Sequence, residues 1–493
     1  MKMSEFESSR NMRTIIIAVV VIAIICVGGY VGWSLLSGGG PTTTTTTNTN
    51  TTTTTTTSSE HVLTIITRHD TSIHNVFEPA FLASDLAKNL GITDIVWKTP
   101  SEAFWDDVLG AGGIDVCWGG GPTLFDQIMR DGYLQSLNDT YMQQVAARVP
   151  DSIAGADMKR VVNNTLYWVA AAISTFGFTV NHQFLNDYSL PTPTNWTDLA
   201  QPIYGSLLPN IPTIAMGNAP DTTSNTRIYE IITQGMGWDT GWATLARMAG
   251  SSNIYGGSVE TQSAAEQGQV GISMSIDFYG YQTQYKNPDC EYILPTGQSI
   301  VNGDPIAIAK GTAHLDYAEA FVDFVLSNYG QSLWLDPSIR RMPVLVGAFQ
   351  EPLGLAAPDL YAVFNQTVAT AGIDFNDTLS LELNAALIYY FESAFTDAHT
   401  ELVNCWSAIV AAYYDHVIDM TQVNYYATLM GTPVTAKDPN TNVNQKFTLA
   451  YARSIDNSMI YDSAFASTMQ TRWTAAAKAQ YNSVAAMIAA LYP

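Results

Sequence analysis

Three short runs of this sequence gather groups able to hold a small ligand. The first is Thr67-Arg68-His69-Asp70. Arg68 can pair with a carboxylate or phosphate. His69 can donate a hydrogen bond or ligate a metal, and Asp70 suits the N-cap of a helix. The second is Gly119-Gly120-Gly121-Pro122-Thr123. Glycines reach positive φ and let a ligand approach the backbone. Pro122 fits a first helical turn, where the missing N–H costs nothing. The exposed amides and the helix dipole attract an anion. The run lacks the lysine and spacing of a P-loop, so it does not indicate nucleotide hydrolysis. The third is Asp221-Thr222-Thr223-Ser224-Asn225, which gathers hydroxyls and backbone N–H groups where a helix should start. Ordinary N-capping accounts for one of these residues, not for the cluster.

No GxSxG, HExxH or cluster of His, Asp and Glu at ligand spacing occurs, so the chain reads as a binding protein without a cofactor rather than an enzyme. Four cysteines, Cys26, Cys117, Cys290 and Cys405, form no CxxC pair. They give no zinc or redox motif, and the bland reading is buried free thiols. Lys and Arg total 21 against 44 Asp and Glu, for a formal charge of -23. That balance repels phosphate backbones and argues against nucleic acid as a partner.

The elements around the three runs follow from the apolar pattern. Residues 61–66, 94–97 and 114–118 read as strands. Between and after them, 77–90, 101–110 and 122–130 read as helices, with Gly91 as a C-terminal cap. Alternation of this kind implies an α/β chain with an open, largely parallel sheet. Ligands of such sheets bind beyond the carboxyl ends of the strands, where the three runs lie.

Ahead of this body, residues 1–13 carry Lys2, Arg10 and Arg13, and residues 14–36 are apolar and uncharged. As a helix the apolar segment would reach about 35 Å, enough to span a bilayer. The next charge is Glu60, so the positive-inside rule puts the N-terminus in the cytoplasm and the body outside. We read the segment as a retained single-pass anchor; a cleaved signal or pilin-like leader is the alternative. Residues 37–60 are a threonine-rich linker with no core to form, which suits a glycosylated stalk. Sequons occur at Asn50, Asn138, Asn163, Asn195, Asn365 and Asn376.

The stretches at 114–134, 172–185, 193–205, 303–335 (GDPIAIAKGTAHLDYAEAFVDFVLSNYGQSLWL) and 340–347 (RRMPVLVG) resemble, in that order, the ferric-iron and related family of extracellular solute-binding proteins. The resemblance implies a two-lobed periplasmic-binding-protein-like fold of the two-crossover type. Lobe one would hold 61–174 and 286–350, and lobe two 175–285. The crossovers would lie near Ser174-Thr175 and near 277–281. A solute would be captured by hinge closure and passed to the permease of an ABC transporter.

Carried onto this chain, the cleft residues of lobe one are Arg68, His69, Gly120, Gly121, Pro122, Thr123, Ser174 and Thr175. Those of lobe two are Thr223, Ser224, Asn225, Asp277 and Tyr279. Iron-binding relatives commonly present adjacent tyrosines. Here Asp277-Phe278-Tyr279-Gly280-Tyr281 has no such pair, so a metal ligand is left open and an anionic solute is preferred to ferric iron. The tyrosines suit an aromatic wall.

Residues 351–493 extend beyond the family body. Leu387, Phe391, Phe395, Leu402, Trp406 and Ile409 recur at helical spacing, and 461–491 is a second long helical pattern. Residues 432–445 read as a polar loop. We expect these helices to pack on lobe one and complete its core. A self-assembling surface protein built on the same fold is the competing reading of the stalk and tail.

Overall fold

The apolar run after His61 forms β1 (Val62–Thr67) in the computed structural model, which describes residues 61–369 and 372–492. Helix α1 (Thr71–Leu82) follows, then β2 (Asp94–Lys98), β3 (Val116–Trp118) and α2 (Pro122–Arg130). Both β2 and β3 pair with β1 in parallel. The helix expected over 77–90 is two helices, because Ser84 accepts from Ala87 N and starts a new one over Asp85–Leu90. Phe77 and Trp334 pack on Trp118 at ring distances of 4.9 and 5.4 Å and anchor the core of lobe one.

A single long strand, β4 (Thr165–Asn181), then enters lobe two. There follow β5 (Ile214–Gly217), α3 (Thr223–Gly235), α4 (Trp238–Gly250), β6 (Ser252–Tyr255) and α5 (Ser258–Glu266). Next come β7 (Ile272–Ile276), α6 (Asp277–Lys286), β8 (Cys290–Ile293) and β9 (Val301–Ile308). The strand order is β2-β1-β3-β9-β4-β7-β5-β6, with β8 also on β4. Along β4 the partner changes at one step: Thr175 pairs with Val301 of β9, and Phe176 with Ile276 of β7. The return passage is drawn out. Helix α6 already reaches lobe one, where Gln282 Nε2 donates to Ile339 O at 2.8 Å, yet β8 still pairs with the lobe-two end of β4. The backbone rejoins lobe one at Val301.

The extension builds α7 (Asp377–Leu381), α8 (Asn384–Phe391), α9 (His399–Tyr414), α10 (Met420–Gly431), α11 (Leu449–Tyr461) and α12 (Ser463–Ala489). A π-turn at Glu392–Thr396 leads from α8 towards α9. The sequence suggested that the extension completes lobe one; that holds for its helix Pro358–Ala369, whose Leu360 and Phe364 join the lobe-one core, whereas α8 to α12 complete lobe two. Leu387, Phe391, Trp406 and Trp473 share one core with Trp242 and Leu245 of α4. The physical reason is the small-residue face of α4. A Cβ at Gly250 would lie 2.8 Å from the Trp406 Cβ, and one at Gly431 of α10 would lie 2.5 Å from the Ala243 Cα. Only glycines allow helices this close. Residues 432–445 hold a small hairpin, Thr435–Lys437 against Asn444–Lys446, rather than a structureless loop. Its turn closes on Asp438, whose Oδ1 accepts from Asn440 N and Thr441 N.

Cys117, Cys290 and Cys405 are buried free thiols. Among the described residues no helix is long and apolar enough to cross a membrane. The expected anchor, the threonine-rich linker and Asn50 lie outside the described residues. Asn138, Asn163, Asn365 and Asn376 are exposed, and Asn195 and Asn376 cap helices.

Candidate functional site

A cavity of about 320 Å³ lies between the lobes, within the range of small-molecule sites. Five helices start at its wall. Residues 68–70 lead into α1, Gly121 into α2, Thr222 into α3 and Gly257 into α5, while Phe278 and Tyr279 belong to the first turn of α6. Helix N-termini carry unpaired N–H groups and partial positive charge. Two have a side-chain cap: Asp70 accepts from Ser72 N at 2.8 Å, and Thr222 Oγ1 from Asn225 N at 3.3 Å. At α2 and α5 the N-cap is a glycine, which has no side chain to offer. Glu260 folds back over Gly257. Beside α3 and α5 the hydroxyls of Thr222, Ser224 and Ser258 form a connected cluster, with Ser224 and Ser258 2.8 Å apart.

Gly119, Gly120 and Gly121 have φ of 75°, 124° and 86°, where a side chain would be strained. A Cβ at Gly119 would lie 2.1 Å from the His69 ring. The nest they form was expected to take a ligand anion. It takes the protein's own: Asp304 Oδ1 accepts from Gly120 N at 3.1 Å and Gly121 N at 3.2 Å. Asp304 Oδ2 accepts from His69 Nε2 at 2.8 Å and from Arg341 Nη1 at 3.0 Å. Burial alone would push the Asp304 carboxyl up, but Arg341 and the His69 hydrogen bond outweigh it and hold it well below the carboxylate range. Burial keeps the His69 imidazole below its usual value despite Asp304. Arg341 also donates to Ser174 Oγ at 3.1 Å and lies over the rings of Phe278 and Trp334.

Arg227 answers it from lobe two. Its guanidinium donates to Thr123 Oγ1 and Asn302 Oδ1 of lobe one, each at 3.1 Å, and to Glu230 Oε2 at 3.1 Å. It also pairs with Asp377 of the extension. Burial pushes the Glu230 carboxyl up to about 7, although Arg227 opposes this. Two more bonds cross between the lobes: Arg68 Nη2 donates to Asp221 O at 3.3 Å, and Tyr279 Oη to Asp70 Oδ2 at 3.1 Å.

Of the residues expected at the cleft, Arg68, His69, Gly120, Gly121, Pro122 and Thr123 line the cavity on one side. Ser174, Thr223, Ser224 and Tyr279 line it as well. Thr175, Asn225 and Asp277 do not. Asp277 Oδ2 accepts from Thr175 N at 2.7 Å and clasps the point where β4 changes partner; burial pushes this carboxyl up to about 6. Asn225 Oδ1 accepts from Gly217 N and closes the turn before α3. Tyr281 packs with Tyr292 in the core of lobe one rather than on the cavity wall. Sequence reasoning passed over Arg227, Arg341, Asp304, Asn302 and Glu230. A charged residue inside an apolar strand, as Asp304 is in Gly-Asp-Pro-Ile-Ala-Ile, was the signal that could have found one of them. Among the described residues no group of three His, Cys, Asp or Glu is placed to hold a metal.

Two lobes joined by a shared strand, with opposed helix N-termini around one cavity, define a protein built to bind a small solute. Residues 114–361, half of the chain, match the family of bacterial extracellular solute-binding proteins, and the chain belongs to that family. It is 27% identical over 248 residues to the phosphoglycerate transport regulatory protein PgtC of Salmonella typhimurium, a match over 50% of this chain and 57% of that protein. The chain thus spans little more than half the length of this curated relative. Two solved structures share the fold. The periplasmic binding protein AfuA from Actinobacillus pleuropneumoniae, solved with fructose-6-phosphate, aligns at TM-score 0.55 and 16% identity, over 68% of this chain and 98% of that one. The periplasmic binding protein P5PA aligns at TM-score 0.54 and 17% identity, over 68% and 100%.

Proposed function

We propose that the chain captures a small anionic solute, phosphorylated or carboxylated, by closure of its two lobes and delivers it to the permease of an ABC importer. In this reading residues 14–36 tether it to the cell membrane, the threonine-rich segment and the sequons carry glycans outside the cell, and the lobe limits are those the family resemblance gives. The observation that carries the ligand class is the ring of helix N-termini from both lobes around one cavity, which favours negative charge. Six carboxylates also line that cavity, but their partners are inside the protein. Asp304 is held by Arg341 and His69, Glu230 by Arg227, and Asp70 by Ser72 and Tyr279. Asp221 is held by Asn218 and Glu102 by Asn384, while Glu260 folds back on Gly257. Arg68 and Arg227 line the same cavity, and Arg68 is only half-buried. The phosphoglycerate in the name of the Salmonella relative and the sugar phosphate in the AfuA structure point the same way.

The test is a thermal-shift screen of the compact unit 59–493 with inorganic phosphate, sugar phosphates, phosphoglycerate and dicarboxylates. A solute at 100 times its Kd should stabilise the folded state by about 2.7 kcal/mol. Ser224→Ala or Thr123→Ala should abolish the shift while the protein stays folded. A shift given only by neutral or cationic solutes refutes the anion reading. Ordered self-assembly with no solute shift supports the surface-protein reading instead.

A further inference from the structure

The family match ends at residue 361, yet the cavity wall continues past it. Asn384, the first residue of α8, lines the cavity from the extension and is 9% exposed. Its Nδ2 donates at 3.2 Å to Oε1 of Glu102, which comes from the turn after β2 in lobe one and also lines the cavity. The same segment grips lobe two: the Phe375 ring lies 4.1 Å from the Arg227 guanidinium, Asp377 pairs with that arginine, and Ser380 Oγ accepts from Gln234 at 3.0 Å. Residues 375–384 are therefore held from both lobes, and Asn384 is fixed rather than free to swing away.

A carboxyl and an amide side by side are the groups that bind hydroxyls, since together they present acceptors and donors. They add little to the binding of a bare anion, which the helix N-termini take. We infer that Glu102 and Asn384 form a hydroxyl-recognising pair, supplied in part by the extension, which makes the cavity select a phosphorylated polyol over an inorganic anion. The inference rests on the anion reading of the cavity. In it Glu102 contacts the polyol, and Asn384 both positions that carboxyl and offers its own Oδ1. Burial pushes the Glu102 carboxyl up, with Arg68 and the Asn384 bond opposing. That suits a group that exchanges hydrogen bonds with hydroxyls rather than one that stands as a bare charge.

Isothermal titration of the full chain with inorganic phosphate, glycerol 3-phosphate and fructose 6-phosphate tests this. The wild type should prefer at least one polyol phosphate to inorganic phosphate by about tenfold or more, as for a site built to hydrogen-bond hydroxyls. Asn384→Ala and Glu102→Gln should each weaken that polyol phosphate by about tenfold and change inorganic phosphate by less than about twofold. Unchanged selectivity in both variants, even with a lowered Tm, makes the pair a structural tie and overturns the inference. So does tighter binding of all anions by Glu102→Gln, which would make Glu102 a repelling charge. Equal binding of phosphate and both polyol phosphates by the wild type sinks the hydroxyl pair and leaves the anion reading standing. Binding of none of the three by folded wild type overturns the inference, and the screen with phosphoglycerate and dicarboxylates then decides the anion reading separately.

Discussion

The two buried arginines of the cavity sit on opposite lobes and are balanced in different ways. Arg341 faces one carboxylate, Asp304, whose four hydrogen bonds come from Arg341, His69, Gly120 and Gly121. Arg227 faces two, Glu230 and Asp377, and the second belongs to the extension. The first cluster is charge-matched with both Asp304 oxygens used, and that carboxyl is held well below its ordinary range. The second has a surplus acid. Glu230 Oε1 lacks a partner among the described residues, and this carboxyl sits at about 7. A matched buried pair is intolerant of change, whereas an overbalanced one has a member to give up. The lobe-one cluster should therefore behave as scaffold and the lobe-two cluster as the adjustable side of the cleft.

The contrast breaks most readily at Asp304. Asp304→Asn keeps an oxygen for the glycine amides but leaves Arg341 buried without its carboxylate, a loss expected to cost about 3–5 kcal/mol. Urea unfolding at pH 7 measures it. A cost below about 1 kcal/mol would mean that the cluster is not a matched pair and that the comparison fails.

pH separates the two sides next. Asp304 has a depressed carboxyl, so its contribution is full above the unfolded value near 3.9 and is lost only as pH falls through the folded value; it gives no slope between pH 5 and 8. Glu230 has a raised carboxyl, so its contribution is full below its unfolded value near 4.5 and is lost as pH rises towards 7. Wild type should thus lose on the order of 2–3 kcal/mol relative to Glu230→Gln between pH 4.5 and 8. Asp277 and Asp456, both pushed by burial to about 6, add a slope of the same sign to both proteins and cancel in the difference. Chemical unfolding across that range reads the result. A flat difference would show that Glu230 is as well matched as Asp304.

The sequence showed the turns of this site better than its charges. Three glycines in a row before Pro122, and hydroxyls ahead of 228–236, mark helix starts by local chemistry, and both line the cavity. Arg341 and Asp304 lay inside stretches that resembled the family, but their role depends on His69, 235 residues from Asp304, and on the amides of Gly120 and Gly121, 184 and 183 residues from it. Local pattern cannot supply that pairing. Thr175 and Asp277 look like cleft residues for the same reason, and only their clasp, across 102 residues, turns them inward. The stripe of Phe391, Trp406 and Ile409 was legible as a buried helix face. Its partner was not, because a stripe states that a face is buried and not against what. The deciding feature is the close approach that Gly250 and Ala243 of α4 permit, which only the assembled helices reveal.

The smallest expected effect is the one that joins the extension to this comparison. Asp377 is about a third exposed in its side chain, and Arg227 keeps Glu230 when it is removed. Asp377→Asn should therefore cost about 1 kcal/mol or less, as for a partly solvated pair. Its clearer signature is indirect. The Asp377 charge helps to push the Glu230 carboxyl up, so removing it should let Glu230 ionise at lower pH. The slope that distinguishes wild type from Glu230→Gln should then move down in pH when both proteins carry Asp377→Asn. If the slope stays centred where it was, Asp377 does not act on Glu230, and the surplus charge of the lobe-two cluster is a matter of burial alone. If it moves, the extension sets the protonation of a cavity residue that lies in the family core.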